Sequence, residues 1–61
     1  MTIVTCISIR ETNPEQIKIG EKYQIDIARA HGDDEGNWYA PVYDMENRCI
    51  AVLLLSHFKS S

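Results

Sequence analysis

The chain has 61 residues, six basic and nine acidic side chains, and a net charge of −3. A chain this short forms a single domain that buries only about 60% of its unfolded surface, which leaves little room for an enzyme pocket. Hydrophobic residues make up 44% of the sequence, a composition that argues against a disordered polar segment. The six basic residues are dispersed along the chain, so the composition disfavours binding to nucleic-acid phosphates.

Neither a signal peptide nor a membrane span is predicted. The first residues lack a basic segment followed by a long apolar stretch. The longest apolar run, residues 50–55, is too short to cross a bilayer. We therefore expect a cytoplasmic protein with no membrane partner, in which Cys6 and Cys49 are free thiols.

The first half of the chain predicts two strands separated by a polar stretch. Residues 3–9 are rich in β-branched side chains, which favour a strand. Residues 10–16 are polar and contain an Asn-Pro turn dipeptide, after which one short helical turn can begin. Tyr23, Ile25 and Ile27 then alternate with polar residues, and this period of two predicts a half-buried second strand.

A loop over residues 31–37 separates the second strand from a predicted hairpin. Residues 38–43 predict a third strand, in which Pro41 lacks a ladder donor and therefore indicates an edge or a bulge. A tight turn at residues 44–47 leads into a fourth strand over residues 48–55. That strand is apolar on both faces, so we expect it to be central in the sheet or covered on its second face.

The chain ends in a predicted closing turn after which Phe58 returns to the core, followed by the stub of a last strand. The sequence thus predicts one all-β domain over residues 1–61, with about five short antiparallel strands arranged as a partly open barrel. The predicted core lies in or near Ile7, Tyr23, Ile25, Ile27, Val42, Ala51, Leu53 and Phe58. Both cysteines are expected to behave as slowly reacting core thiols.

Three segments resemble small SH3-like barrel proteins of Firmicutes and their phages. Residues 17–25 resemble the hydrophobic segment with Gly20 and Tyr23 that enters the second strand of those proteins. Residues 4–7 resemble their first strand, and residues 55–58 resemble their closing aromatic turn. The resemblance implies an SH3-like fold and carries no catalytic motif. In a phage setting, it implies a small acidic protein that binds and inhibits a host factor.

The remaining residues that could carry chemistry form no recognisable catalytic or metal motif. Cys6, Cys49, His31 and His57 lack the short paired spacing of structural zinc sites. The acidic loop (residues 33–37) lacks the spaced ligands and final bidentate glutamate of an EF-hand calcium loop. We therefore expect a non-enzymatic protein with no metal and no cofactor.

The working surface is predicted around the acidic loop and the strand that follows it. The loop has the densest negative charge of the chain, which can steer a basic protein partner toward it. Large aromatic side chains follow at once, and aromatic anchors are typical of binding hot spots. The predicted contact residues are Asp33, Asp34, Glu35, Trp38, Tyr39 and Tyr43. The alternative is a loop that is acidic for solubility alone, with Tyr39 lying against a neighbouring strand.

Two other binding modes remain open. Trp38 and Phe58 stand where peptide-binding SH3 domains have groove aromatics, although the tyrosine-rich wall of that groove has no counterpart near residues 4–9. Tyr39 and Tyr43 share one predicted face and could stack nucleic-acid bases. The oligomeric state is expected to be a monomer, or a homodimer through an edge left exposed by the short last strand.

Overall fold

The computed structural model describes residues 1–10 and 14–60, and it confirms the predicted all-β class. Two short 3-10 turns, Ile27–Arg29 and Leu55–His57, are the helical elements of the described residues. The strands are β1 (Thr2–Cys6), β2 (Lys22–Ile25), β3 (His31–Gly32), β4 (Trp38–Tyr43), β5 (Cys49–Leu54) and β6 (Phe58–Ser60).

The six strands form one antiparallel sheet with the order β3-β4-β2-β1-β6, and β5 pairs with β4. Along one side of β4, its start pairs with β3 and its end pairs with β2. The opposite side of β4 pairs with β5. Within the described residues β5 and β6 do not pair with each other, so the sheet does not close into a complete barrel.

The core lies on the inner face of this sheet. Val4 and Cys6 of β1 point inward because side chains of a strand alternate between its two faces. The rings of Tyr23 and Phe58 meet edge-to-face, with centroids 6.1 Å apart. The buried cluster consists of Val4, Cys6, Ile17, Tyr23, Ile25, Ala40, Val42, Leu53 and Phe58.

The hydroxyl of Tyr23 fastens the long loop between β1 and β2 over this core. It donates a hydrogen bond of 2.8 Å to the Gln16 carbonyl and accepts one of 2.8 Å from the Lys18 amide. Gly20, with a φ of 88°, lets the chain turn back so that its amide donates to the Cys6 carbonyl at 2.9 Å. Tyr23 thus places its ring in the core and its hydroxyl on the backbone of the loop, and its predicted core position is confirmed.

Two residues of the predicted core are exposed instead. Ile7 is 47% exposed because β1 ends at Cys6, and its position in the alternation turns it outward. Ile27 is 50% exposed because β2 ends at Ile25, and Ile27 opens a 3-10 turn that does not continue the period of two. Ala51 is partly buried and packs against the core.

The expectations for the third and fourth strands are partly wrong. β4 is central, and the Pro41 carbonyl accepts from the Asp26 amide at 3.2 Å, so the ring nitrogen lies on the β2 side between the β2 and β3 pairings. The predicted irregularity exists as a register shift at Val42/Tyr43. β5 is an edge strand rather than a central one, and its Val52 is exposed.

Of the remaining local predictions, one is wrong, one lies outside the described residues and two are confirmed. Pro14 begins a hydrogen-bonded turn, with the Ile17 amide donating to its carbonyl at 3.0 Å, rather than a helical turn. The predicted turn dipeptide begins at Asn13, which lies outside the described residues. The closing turn at Leu55–His57 and the return of Phe58 to the core are confirmed.

The two cysteines occupy opposite environments, which corrects the prediction that both are core thiols. Cys6 is buried and Cys49 is exposed at the start of β5. Burial raises the pKa of the Cys6 thiol and so depletes its reactive thiolate form.

We expect one thiol per folded chain to react rapidly with Ellman's reagent, and the other to react only when the chain unfolds. Cys49→Ser is expected to remove the rapid phase, whereas the conservative Cys6→Ala is expected to retain it. Rapid labelling of the Cys49→Ser variant in native buffer would show that Cys6 is accessible and would contradict this assignment.

Candidate functional site

The acidic loop is a tight hairpin connection between β3 and β4. The Asp33 amide donates to the Asn37 carbonyl at 2.9 Å, and the Gly36 amide donates to the Asp33 carbonyl at 3.3 Å. Gly36 has a φ of 84°, so the loop is a turn followed by a left-handed residue, a common hairpin geometry. The loop is therefore shorter than the sequence predicted, since residues 31 and 32 belong to β3.

The Asp33 carboxylate holds this loop together. Its Oδ1 accepts hydrogen bonds of 2.9 Å from the amides of Glu35 and Asn37. The backbone bond from Asn37 is the main cause that lowers the pKa of Asp33, because hydrogen bonds to a carboxylate favour its charged form. The main role of the Asp33 carboxylate is therefore to stabilise the loop.

The turn between β4 and β5 repeats the same arrangement. The Asp44 carboxylate accepts from the amides of Glu46 and Arg48, each at 2.9 Å. The Asp44 amide donates to the Arg48 carbonyl at 2.9 Å, and Asn47 takes the left-handed conformation with a φ of 68°. Both loops therefore contain an aspartate that is followed three residues later by a residue with positive φ. This spacing is visible in the sequence, where Asp33 drew attention only as a negative charge.

Asp34 and Glu35 are the two acidic residues of the loop whose carboxylates are not used by the loop itself. Both side chains are exposed, and neither forms a side-chain hydrogen bond or ion pair within the described residues. Their charge is therefore available to a partner.

Trp38 is the first residue of β4 and directly follows the acidic loop. It lies on the strand face that carries Ala40 and Val42 toward the core, yet it is 56% exposed because it extends past the end of the core. Its indole ring packs on Gly32, where an added Cβ would lie 3.4 Å from the ring. The ring is thus held from one side and open to solvent on the other.

The side chain of Tyr39 points to the opposite face of β4 and contacts other residues of the hairpin. Its ring stacks on His31 with a centroid distance of 5.9 Å, and its hydroxyl donates to Asp33 Oδ2 at 3.3 Å. Desolvation first, and then the negative charge of Asp33, raise the pKa of Tyr39. The side chain therefore braces the loop.

Tyr43 lies at the far end of β4, about 13 Å from Tyr39 along the strand. It is half-buried, and its register partners are Gln24 of β2 and Cys49 of β5. The structure thus brings Asp33, Asp34, Glu35, Trp38 and Tyr39 together around one hairpin, while Tyr43 is remote from it.

The sequence did not predict that His57 is buried and lies within hydrogen-bonding distance of a serine. His57 Nδ1 lies 2.9 Å from the Ser8 hydroxyl, and its Nε2 is buried with no hydrogen-bond partner in the described part of the chain. Burial first, and then the positive charge of Arg10, lower the pKa of His57. The available sequence signal was the apolar character of the closing turn, with Leu55 two residues before His57 and Phe58 directly after it.

Metal ligands are not brought together in the described residues. No group of three or more histidine, cysteine, aspartate or glutamate side chains is close enough to hold an ion there. Two shallow depressions lie on the long loop, away from the acidic hairpin. One is polar and beside Tyr23, and the other has an apolar floor that includes Ile9 and Ile17.

Comparisons with known proteins identify no relative: no family model, no curated protein and no solved structure matches the chain. Within residues 1–10 and 14–60, no helix has the length and apolar character needed to cross a membrane. The functional proposal therefore depends on the geometry of the surface and on the resemblance seen in the sequence.

Proposed function

We propose that the chain is a non-enzymatic protein-interaction module that binds a basic segment of a partner protein at the end of β4. The observation that carries the proposal is that one hairpin presents the exposed indole of Trp38 and, three to four residues before it, the free carboxylates of Asp34 and Glu35. Tyr39 and Asp33 stabilise the loop that carries this surface, because their side chains form a hydrogen bond with each other.

The chemistry of this surface favours lysine and arginine side chains. A cation over the face of a tryptophan gains about 0.5–2 kcal/mol, the larger value when water is excluded. Exposed carboxylates nearby raise the rate of encounter with a positively charged partner. The carboxylate of Asp33 keeps the loop closed, so the charges of Asp34 and Glu35 stay on the hairpin that carries Trp38.

The resemblance to SH3-like proteins supports the same function. The strand order β6-β1-β2-β4-β5 is compatible with an SH3-like arrangement, and Trp38 begins the strand after the second loop. On that resemblance we propose a phage-type or Firmicutes protein that binds a host factor in the cytoplasm. Nucleic acid is a weaker candidate, because the Tyr39 ring is already stacked on His31 and the six cations are dispersed.

Peptides selected from a random display library against the immobilised domain are expected to be rich in lysine and arginine. Trp38→Ala is expected to weaken their binding about 30-fold or more, as loss of an anchoring aromatic does. The double variant Asp34→Asn/Glu35→Gln is expected to weaken it roughly 2- to 30-fold, because each exposed ion pair contributes about 0.2–1 kcal/mol. Anisotropy of labelled peptides measures both.

The matched control is Glu15→Gln/Glu21→Gln, which removes the same charge from exposed positions on the long loop. It is expected to leave affinity almost unchanged. Equal weakening by this control would mean non-specific attraction, and full binding by Trp38→Ala would mean a different surface. If no peptide is enriched while a mixed-sequence oligonucleotide binds, the nucleic-acid alternative replaces the proposal.

A further inference from the structure

The outer edge of β5 is the longest unpaired strand edge among the described residues. β5 pairs with β4 and runs beside no other strand of the described chain. β6 also has a free edge, but it is three residues long and carries Lys59, whereas β3 has two residues. The exposed edge expected at the last strand is therefore better provided by β5.

The backbone of Val52 is directed away from β4. On β4, the Pro41 carbonyl points to β2, since it accepts from the Asp26 amide. Neighbouring residues of a strand point their backbone groups to opposite sides, so Ala40 and Val42 direct theirs to β5, where their register partners are Leu53 and Ala51. Val52, between these two, therefore presents its N–H and C=O to the open edge.

The sequence of β5 lacks the features that usually protect such an edge. Its six residues include no charged side chain, no proline and no glycine. Strand edges of folded proteins are ordinarily protected by charges, proline, bulges or short length, because free edges pair with other chains. The one irregularity, the register shift at Val42/Tyr43, lies near the start of β5 and leaves Val52 in regular pairing.

We propose that β5 pairs with β5 of a second copy, forming an antiparallel, two-fold symmetric ladder centred on Val52. Two-fold symmetry makes the edge self-complementary, because each Val52 N–H faces the carbonyl of the other copy. The side chain of Val52 is 52% exposed, and such a ladder covers part of its apolar surface. The ladder joins the sheets of the two copies edge to edge and leaves the core of each copy unchanged.

Charge opposes a second copy less at this edge than elsewhere on the surface. The whole chain carries a net charge of −3, so two copies repel each other over most of their surfaces. β5 itself is uncharged, and the nearest charge, Arg48, is paired within its own turn to Asp44 at 3.0 Å and Glu46 at 2.9 Å. Antiparallel pairing about Val52 also places the two Arg48 residues at opposite ends of the ladder.

The test is sedimentation of the full chain over a wide concentration range. We expect the unchanged protein to shift from monomer to dimer as concentration rises, and Val52→Lys to raise the dimer dissociation constant roughly tenfold or more, because two like charges then face each other. Ile3→Lys is the matched control, since Ile3 is also an exposed strand residue but lies in β1, between β2 and β6. The control is expected to dimerise normally.

Hydrogen exchange identifies the edge that is used. The Val52 amide is expected to exchange rapidly in dilute protein and slowly in concentrated protein, whereas amides of Ala51 and Leu53 stay protected at both. A chain that remains monomeric at millimolar concentration, a dimer that survives in Val52→Lys, or a dimer with an unprotected Val52 amide would each overturn the proposal. Circular dichroism of Val52→Lys verifies that the variant is folded when it is compared.

Discussion

Replacing Ile25 with alanine is expected to lower the free energy of unfolding by about 2–5 kcal/mol, because the change removes buried methyl groups and leaves a cavity. Ile25 is 1% exposed and lies in β2 between β1 and β4, opposite Thr2 and Val42. A domain of this length has a total stability of roughly 3–9 kcal/mol at the usual value per residue. The variant is therefore expected to lose a large share of its stability and to unfold at a much lower urea concentration than the unchanged protein.

Ile27→Ala is the matched control for this experiment. It deletes the same atoms two residues later, where the side chain is half exposed, and is expected to change stability by at most about 0.5 kcal/mol. Urea unfolding followed by circular dichroism measures both variants. If Ile27→Ala proves as destabilising as Ile25→Ala, the period of two continues through Ile27 and the end of β2 is placed too early.

Lowering the solution from about pH 7.5 to about pH 5 is expected to destabilise the folded chain through His57. The pKa of His57 is lowered in the fold, first by burial and then by the charge of Arg10. The unfolded chain therefore takes up a proton at its ordinary pKa of about 6.5, before the folded chain does. Stability is complete above this pH and falls as the pH decreases toward the lower folded pKa.

The effect of His57 on stability is limited in size, and it falls in a different pH range from the effect of the carboxyl groups. One group changes the free energy of unfolding by at most about 1.4 kcal/mol per pH unit. The carboxyl groups of Asp33 and Asp44 also have lowered pKa values, so their stabilising contribution is lost only as the pH falls below the ordinary carboxyl range. Denaturation curves between about pH 5 and pH 7.5 therefore report mainly on His57.

His57→Asn is the variant that tests this assignment, because its amide can still bond to the Ser8 hydroxyl but does not titrate. We expect its unfolding free energy to be nearly flat across the same pH range, while His31→Asn, at an exposed histidine, retains the slope of the unchanged protein. A slope that persists in His57→Asn, or a flat profile in the unchanged protein, contradicts the role given to His57.

The local pattern of the sequence predicts most of the strands. Alternation at Tyr23 and Ile25 predicts β2, and the run from residue 38 to residue 43 predicts β4 with the bounds that the structure has. The turn at residues 44–47 is also predicted, because aspartate and asparagine suit its backbone angles. These features depend on neighbours in the chain, which the sequence contains.

The candidate surface was predicted less completely. The sequence identifies the acidic residues and Trp38 as neighbours, and the structure keeps them together. It does not reveal that the Asp33 carboxylate is used by its own loop, because charge alone does not distinguish Asp33 from Asp34. The remoteness of Tyr43 from the loop does follow from the predicted strand, because four residues of a strand span about 13 Å; grouping Tyr43 with Tyr39 by their shared face overlooked that distance.

The sequence by itself determines an all-β chain, its turn positions and most of its buried alternation. The tertiary structure decides where each strand stops and which edge is free. Ile7 is exposed because β1 turns Val4 and Cys6 inward, Ile27 is exposed because β2 ends at Ile25, and Cys49 is exposed because β5 lacks a second neighbour. Side-chain alternation is a local property of the backbone, whereas strand ends and edges depend on residues distant in the chain.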